Sequence, residues 1–274
     1  AHEKGKMAAS LPKNGTFIYN AGDVLVAEQA KRTEAHLMSY GSAEAKVTLQ
    51  SVAEQLQIPP STKMVIKTPS REINVTVPVI GKAHESAVLA AVAVAEAMEV
   101  ETDLILKGLA GYRAMPGRLN ILSGIKRTIL IDDTYNAAPL STMEALRLLG
   151  RFPHKIKVAV LGDMLELGDE SDSAHAEVGK FAATLNLSKL ITVGELGYKI
   201  AVAAHEAGMP AGSITSFESS DEAKLTVLND IEQESVILIK GSQGARMEKI
   251  TKELLAEPTA ASHFLVRQYG KWLS

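Results

Sequence analysis

The feature that most constrains this chain is the regular alternation in its second half. Short apolar runs at Thr128–Ile131, Lys157–Leu161, Lys189–Val193, Ser213–Phe217 and Ser235–Ile239 are each followed by a stretch with helical spacing. Those stretches are Ser141–Leu149, His175–Leu185, Leu196–Ala207, Asp221–Glu232 and Met247–Leu255. Strands that are apolar throughout, rather than at alternate residues, are buried on both faces. That requires helices above and below a mostly parallel sheet. Right-handed crossovers then predict an α/β fold of the Rossmann-like, doubly wound kind.

The first part of the chain reads differently. Thr16–Tyr19 is strand-like, is stopped by Asn20-Ala-Gly-Asp23 and is followed by a helical pattern over Val24–Arg32. Met64–Lys67 and Ile73–Val79 flank the turn-forming Thr68-Pro-Ser-Arg-Glu72 and read as an antiparallel hairpin. An apolar helix is expected from about His84 to Met98, after Gly81. Gly108, Gly111, Pro116 and Gly117 cluster where the two patterns meet. The expected domains are therefore 1–113 and 114–274, in keeping with a length of 274 residues.

Composition excludes several classes of function. With 29 Lys+Arg against 32 Asp+Glu, the chain has no global attraction for nucleic acid or an anionic membrane. Aromatic residues are 4%, too few for a platform that stacks bases. There is no cysteine, hence no disulfide, thiolate metal site or Cys nucleophile, as suits a cytoplasmic protein. The longest apolar run, Ala87 to Ala97, is well short of the roughly 20 residues that span a bilayer. No signal-like stretch opens the chain, and the seven His show no H-E-x-x-H spacing.

In an open parallel sheet, ligands collect beyond the carboxyl ends of the strands. Four loops leave such ends with polar residues: Asp132-Asp-Thr-Tyr-Asn136, Gly162-Asp-Met-Leu-Glu166, Gly194-Glu195 and Lys240-Gly-Ser-Gln-Gly244. Any one of them could do no more than cap its helix; four on one rim point to a site. The last is Gly-rich but lacks the G-x-x-x-x-G-K-[ST] spacing of a P-loop, which occurs nowhere in the chain. It could hold a phosphate or carboxylate at a helix N-terminus, or be a tight turn that needs glycine at positive φ.

Four segments in this order resemble the Mur ligases. They are Met115-Pro-Gly-Arg-Leu-Asn120, Ile131-Asp-Asp-Thr-Tyr-Asn-Ala-Ala-Pro139, Val160-Leu-Gly-Asp-Met-Leu-Glu-Leu-Gly168 and Ile239-Lys-Gly-Ser-Gln-Gly-Ala-Arg-Met-Glu248. Weaker matches at Ala1–Lys6, Leu11–Gly15, Asn20–Asp23 and Leu89–Ala91 extend the resemblance over essentially the whole chain. Within the family the likeness is greatest to the member that joins D-Ala-D-Ala to UDP-MurNAc-tripeptide in peptidoglycan synthesis. The resemblance implies part of the central ATPase domain over 1–113 and a whole C-terminal domain over 114–274. It implies ATP and Mg²⁺ as cofactors and an acyl-phosphate intermediate. It also implies a monomer completed by an N-terminal part that carries the P-loop, so that this chain alone would hydrolyse no ATP.

Residue by residue, the resemblance places Arg118 at the γ-phosphate and Lys4, as the carbamylated lysine of the family, at Mg²⁺; these two would be catalytic. Asp133 would accept the ribose hydroxyls, with Tyr135 and Asn136 on the same nucleotide edge and His84 among the nucleotide-binding residues. Asp163, Glu166, Lys240 and Ser242 would face the amino-acid or dipeptide substrate and the acyl phosphate. The chain also departs from the family. His84 stands where an Asn is expected, Ala87 and Ala138 replace Asn, and Gln243 replaces Arg. Those losses motivate a different expectation: a non-catalytic binding or regulatory module that keeps the ligase fold. A folylpolyglutamate- or cyanophycin-type sibling fits less well with the D-D-T-Y and G-D-M-L-E-L-G runs.

Overall fold

The computed structural model describes residues 2–273, and the side chains of His2, Lys4, Lys271 and Leu273 lie outside the described set. The chain divides into two compact units, Ala1–Arg113 and Ala114–Ser274.

The first unit runs α1 (His2–Ala9), β1 (Thr16–Asn20), α2 (Val24–Gln29), β2 (His36–Tyr40), β3 (Thr48–Gln55), β4 (Ser61–Lys67), β5 (Glu72–Val77), α3 (Lys82–Ala97) and α4 (Thr102–Ala110). β1 and β2 pair in parallel, and α3 packs on both. β3, β4 and β5 form an antiparallel sheet. The expected hairpin is β4–β5, with Thr62 opposite Val77 and Lys67 opposite Glu72. β5 alternates strictly between exposed and buried residues, which fixes its register against the core. Sequence patterning missed β3, whose Thr48-Leu-Gln-Ser-Val-Ala-Glu-Gln55 is mostly exposed and so lacks a clear apolar alternation. It also missed α1 and β2.

The second unit runs β6 (Asn120–Ser123), β7 (Ile129–Asp133), α5 (Pro139–Arg151), β8 (Lys157–Gly162), α6 (Ser171–Ala183), β9 (Lys189–Val193), α7 (Glu195–Glu206), β10 (Ile214–Phe217), α8 (Ser220–Asp230), β11 (Val236–Lys240) and α9 (Glu248–Leu254). A last short helix, α10, spans Ala261–Phe264. All six strands form one sheet in the order β10-β9-β8-β11-β7-β6. It is parallel except for β6, which pairs antiparallel with β7. β7 and β11 are buried at every residue, as continuous apolar strands require.

This order explains where ligands can enter. From β7 the chain steps outward through β8, β9 and β10, then returns to insert β11 between β7 and β8. With crossovers of one hand, the return puts α8 and α9 on the face opposite α5, α6 and α7. The packing agrees. Ala223 and Val227 of α8 and Ile250 and Leu254 of α9 share a core with Leu130, Val158, Val160, Ile191, Ile237 and Ile239. α5 packs on α6, and α6 on α7. The strand order therefore reverses at β11, and the loops after β7, β8 and β11 surround that switch point. Among the described residues no helix is long and apolar enough to cross a membrane.

Candidate functional site

At the switch point, three loops are tied together by hydrogen bonds between residues far apart in sequence. Lys240, the last residue of β11, is 2% exposed. Its Nζ donates to Asp133 Oδ2 at 2.6 Å and to the Asn136 carbonyl at 2.9 Å. Ser242, also buried, accepts at Oγ from the Leu165 amide at 2.8 Å, while its own amide donates to the Asp163 carbonyl at 2.8 Å. Its hydroxyl donates to the Ala137 carbonyl. His175 of α6, wholly buried, donates from Nδ1 to the Ser171 carbonyl and accepts from the Met164 amide at Nε2. Those partners assign it the neutral tautomer.

The aspartate pair at the end of β7 holds the segment that carries Arg118. The Gly117 amide donates to Asp132 Oδ2 at 2.9 Å and the Leu119 amide to Asp133 Oδ1 at 3.1 Å. The amides of the residues on either side of Arg118 are thus held by neighbouring carboxylates. The Tyr135 amide returns a bond to the Gly117 carbonyl at 3.0 Å. The Arg118 guanidinium lies over the Tyr135 ring, 4.2 Å from its centroid, in a cation–π arrangement. Gly117 has φ +69, and a Cβ there would stand 2.8 Å from the Tyr135 amide nitrogen, so only glycine fits.

Asp132 is fully buried and accepts at Oδ1 from Thr134 Oγ1 at 2.9 Å and Thr251 Oγ1 at 3.0 Å. Burial pushes its carboxyl up to about 7, the adjacent Asp133 pushes the same way, and the hydrogen bonds oppose them. From the far end of the chain, Arg267 reaches the same loop. Its guanidinium donates to the carbonyls of Thr134 at 3.0 Å and Tyr135 at 2.8 Å, and to Glu248 Oε2 at 2.9 Å.

The expected site residues therefore take different places. Arg118, Tyr135, Asn136 and Glu166 are exposed on loops at the carboxyl rim, and Glu166 has φ +65. Asp133, Lys240 and Ser242 are buried under that rim and bond to protein groups that knit the loops. Asp163 accepts at Oδ1 from the Gly197 amide at 2.7 Å, in the first turn of α7, as a capping carboxylate would. Next to it Gly194 has φ +96, and a Cβ there would overlap the Asp163 carboxylate. His84 sits in the first unit, buried, with Nδ1 2.7 Å from the Tyr112 hydroxyl. Burial raises the pKa of that phenol. The side chain of Lys4, on α1, lies outside the described residues.

Two further readings from the sequence need correction. The Gly-rich loop after β11 has no glycine at positive φ; Arg246 occupies the left-handed region instead, at φ +54. Nor is the N-terminus of α9 open to an anion. The helix begins at Glu248, 1% exposed, whose carboxylate is held by Arg246 and Arg267. The departures Ala87, Ala138 and Gln243 all lie at exposed positions. Among the described residues the one buried side-chain polar atom without a partner is His154 Nδ1, at the amino end of β8. Among the described residues the three replacements leave no buried side-chain polar atom without a partner.

Sequence reasoning gave no individual role to Asp132, His175, Glu248, Thr251 or Arg267. Arg267 did give a signal: it is a charge at the end of the apolar Phe264-Leu265-Val266 run. Its partners in the loop after β7, Thr134 and Tyr135, however, lie more than a hundred positions away.

The comparisons with known proteins decide the family. The Mur ligase middle domain matches residues 1–95, and the Mur ligase glutamate ligase domain matches residues 117–243. The chain belongs to the Mur ligase family. The UDP-N-acetylmuramoyl-tripeptide–D-alanyl-D-alanine ligase of Escherichia coli is 29% identical over 93% of the chain and 55% of its own length. The enzyme of that name from Bacillus subtilis is 28% identical over 94% and 55%. The crystal structure of MurF from Acinetobacter baumannii matches with a TM-score of 0.79 and 30% identity, over 93% of this chain and 55% of that one. MurF ligase from Thermotoga maritima, solved in complex with ADP, shares the fold with a TM-score of 0.77 at 20% identity, over 92% and 56%. The chain spans about half the length of the curated relatives it matches.

Proposed function

We propose that this Mur ligase chain belongs to an ATP-dependent amide ligase of peptidoglycan precursor synthesis, one that adds D-Ala-D-Ala to UDP-MurNAc-tripeptide through an acyl phosphate. Residues 1–113 would be part of its central domain and 114–274 its C-terminal domain. The observation that carries the reading is the Arg118–Tyr135 pair, a cation presented on an aromatic ring at the switch point of a doubly wound sheet. The names of the relatives support the substrate assignment.

In this reading Arg118 neutralises charge on the transferring phosphoryl group. Tyr135 and Asn136 form the nucleotide edge, and Glu166 faces the incoming amine. Asp133, Lys240 and Ser242 hold the loops at fixed spacing, which keeps two reactants in line. Asp133 can still take a ribose hydroxyl, since a carboxylate has about four acceptor sites and two here are filled. Bound ATP would supply the phosphoryl group that activates the substrate carboxylate. On the family resemblance, Mg²⁺ would be held by the nucleotide phosphates and a carbamylated Lys4, where it would neutralise phosphate charge. Among the described residues no three His, Asp or Glu are grouped to ligate a cation.

The reading is tested by joining this chain to the N-terminal portion of the Acinetobacter baumannii relative and assaying ATP-dependent condensation. Product is expected with UDP-MurNAc-tripeptide and D-Ala-D-Ala. Product formed only with glutamate as acceptor would contradict it. No ATP hydrolysis above background is expected of the 274-residue chain alone, because it carries no P-loop spacing.

A further inference from the structure

Arg267 is buried, yet it is bonded to the backbone of the loop that carries the exposed Tyr135. The residue is 6% exposed and its backbone sits at φ +57, a conformation that side-chain-bearing residues adopt only when their surroundings hold them there. Pairing with Glu248 does not by itself require this placement, because Glu248 already has Arg246 Nε at 2.7 Å from Oε1. What distinguishes Arg267 is its remaining donors. They take two successive carbonyls, those of Thr134 and Tyr135, between β7 and α5. The planar fork of a guanidinium can hold two peptides in a fixed relative orientation, and a lysine ammonium cannot.

A continuous set of contacts runs from there to the rim. Arg267 fixes the carbonyl of Tyr135, the amide of Tyr135 bonds to the Gly117 carbonyl, and the Tyr135 ring lies under the guanidinium of Arg118. We infer that Arg267 is a positioning residue for the Arg118–Tyr135 pair, orienting the Tyr135 peptide so that the ring presents Arg118 to the nucleotide. The inference rests on the nucleotide reading above and adds to it a residue that never meets the ligand. Trp272, the chain's one tryptophan, has the guanidinium of Arg246 5.2 Å and that of Arg267 5.9 Å from its ring centroid, so its fluorescence reports on the clamp.

The test is Arg267→Lys in the full chain, with folding checked by thermal melting and Trp272 emission. Two quantities are then read: the ring-current shift of the Arg118 guanidinium protons by NMR, and Mg-ATP affinity by calorimetry, in the native and Arg118→Ala backgrounds. The ring-current shift should collapse towards the value of an unstacked arginine. Affinity should fall about tenfold, the size of one lost hydrogen bond, with no further loss in the Arg118→Ala background. An unchanged ring-current shift, or an equal affinity loss in both backgrounds, overturns the inference. If the native chain binds no Mg-ATP, the nucleotide reading fails, while the NMR comparison still decides whether Arg267 sets the pair. Should Arg267→Lys not fold, Arg267→Gln with Glu248→Gln removes both charges together and is read in the same two ways.

Discussion

Lys240 and Asp133, 107 residues apart in sequence, meet at 2.6 Å beneath the rim of the sheet, with side chains 2% and 11% exposed. They sit at corresponding ends of the neighbouring parallel strands β11 and β7. Removing one partner leaves the other charge buried and unpaired. Lys240→Met should cost about 3–5 kcal/mol in chemical denaturation. The double variant Lys240→Met with Asp133→Leu should be clearly less damaging than the sum of the singles. Additive losses would mean that the two side chains do not depend on each other.

Asp132 makes stability depend on pH in the opposite sense to an ordinary surface carboxylate. Burial raises its folded-state value to about 7, from 3.8 for the free group. Between those values the folded chain binds more proton than the unfolded one. The contribution is therefore fully present at low pH, declines as pH rises from about 4 to about 7, and is flat above. Asp132→Asn keeps an acceptor and cannot ionise, so its stability profile should lack that decline. Parallel profiles for native and variant chains would refute the assignment.

Gly117→Ala places a side chain at φ +69 and drives its Cβ to 2.8 Å from the Tyr135 amide nitrogen. A loss of about 1–3 kcal/mol is expected, with release of the bond from the Tyr135 amide to the Gly117 carbonyl. Hydrogen exchange at the Tyr135 amide measures the second effect directly; protection equal to the native chain would contradict it.

Asp163 separates structure from chemistry on the loop after β8. Its carboxylate caps the first turn of α7 through the Gly197 amide. Asp163→Ala should therefore destabilise the chain by about 0.5–2 kcal/mol, and Asp163→Asn, which keeps an acceptor oxygen, by much less. If both variants melt with the native chain, the carboxylate is not a cap.

The sheet was legible because its central strands carry continuous apolar runs. Lys157–Gly162, Lys189–Val193 and Val236–Lys240 announce themselves whatever surrounds them. β6 was not legible: a four-residue antiparallel edge strand leaves too short a pattern. In the candidate site, the loop positions of Arg118, Tyr135, Asn136 and Glu166 at strand ends could be read from motif order. The protein contacts of Asp133, Asp163, Lys240 and Ser242 could not, because motif order does not show whether a polar side chain points to solvent or into a neighbouring loop. Here each is turned to a protein partner. Arg267 was hidden for a related reason: the loop it clamps is brought to it only by the folded sheet.

The central claim is that a nucleotide meets this chain on the Arg118–Tyr135 edge. Titrating isotope-labelled chain with Mg-ATP and following backbone and arginine side-chain resonances tests it most directly. The account predicts shifts that concentrate on residues 117–119 and 133–137 and that vanish in Arg118→Ala. Shifts confined to the cleft of about 610 Å³ lined by Gly194, Glu195, Tyr198 and Glu218, or no shifts at millimolar ATP, would contradict it.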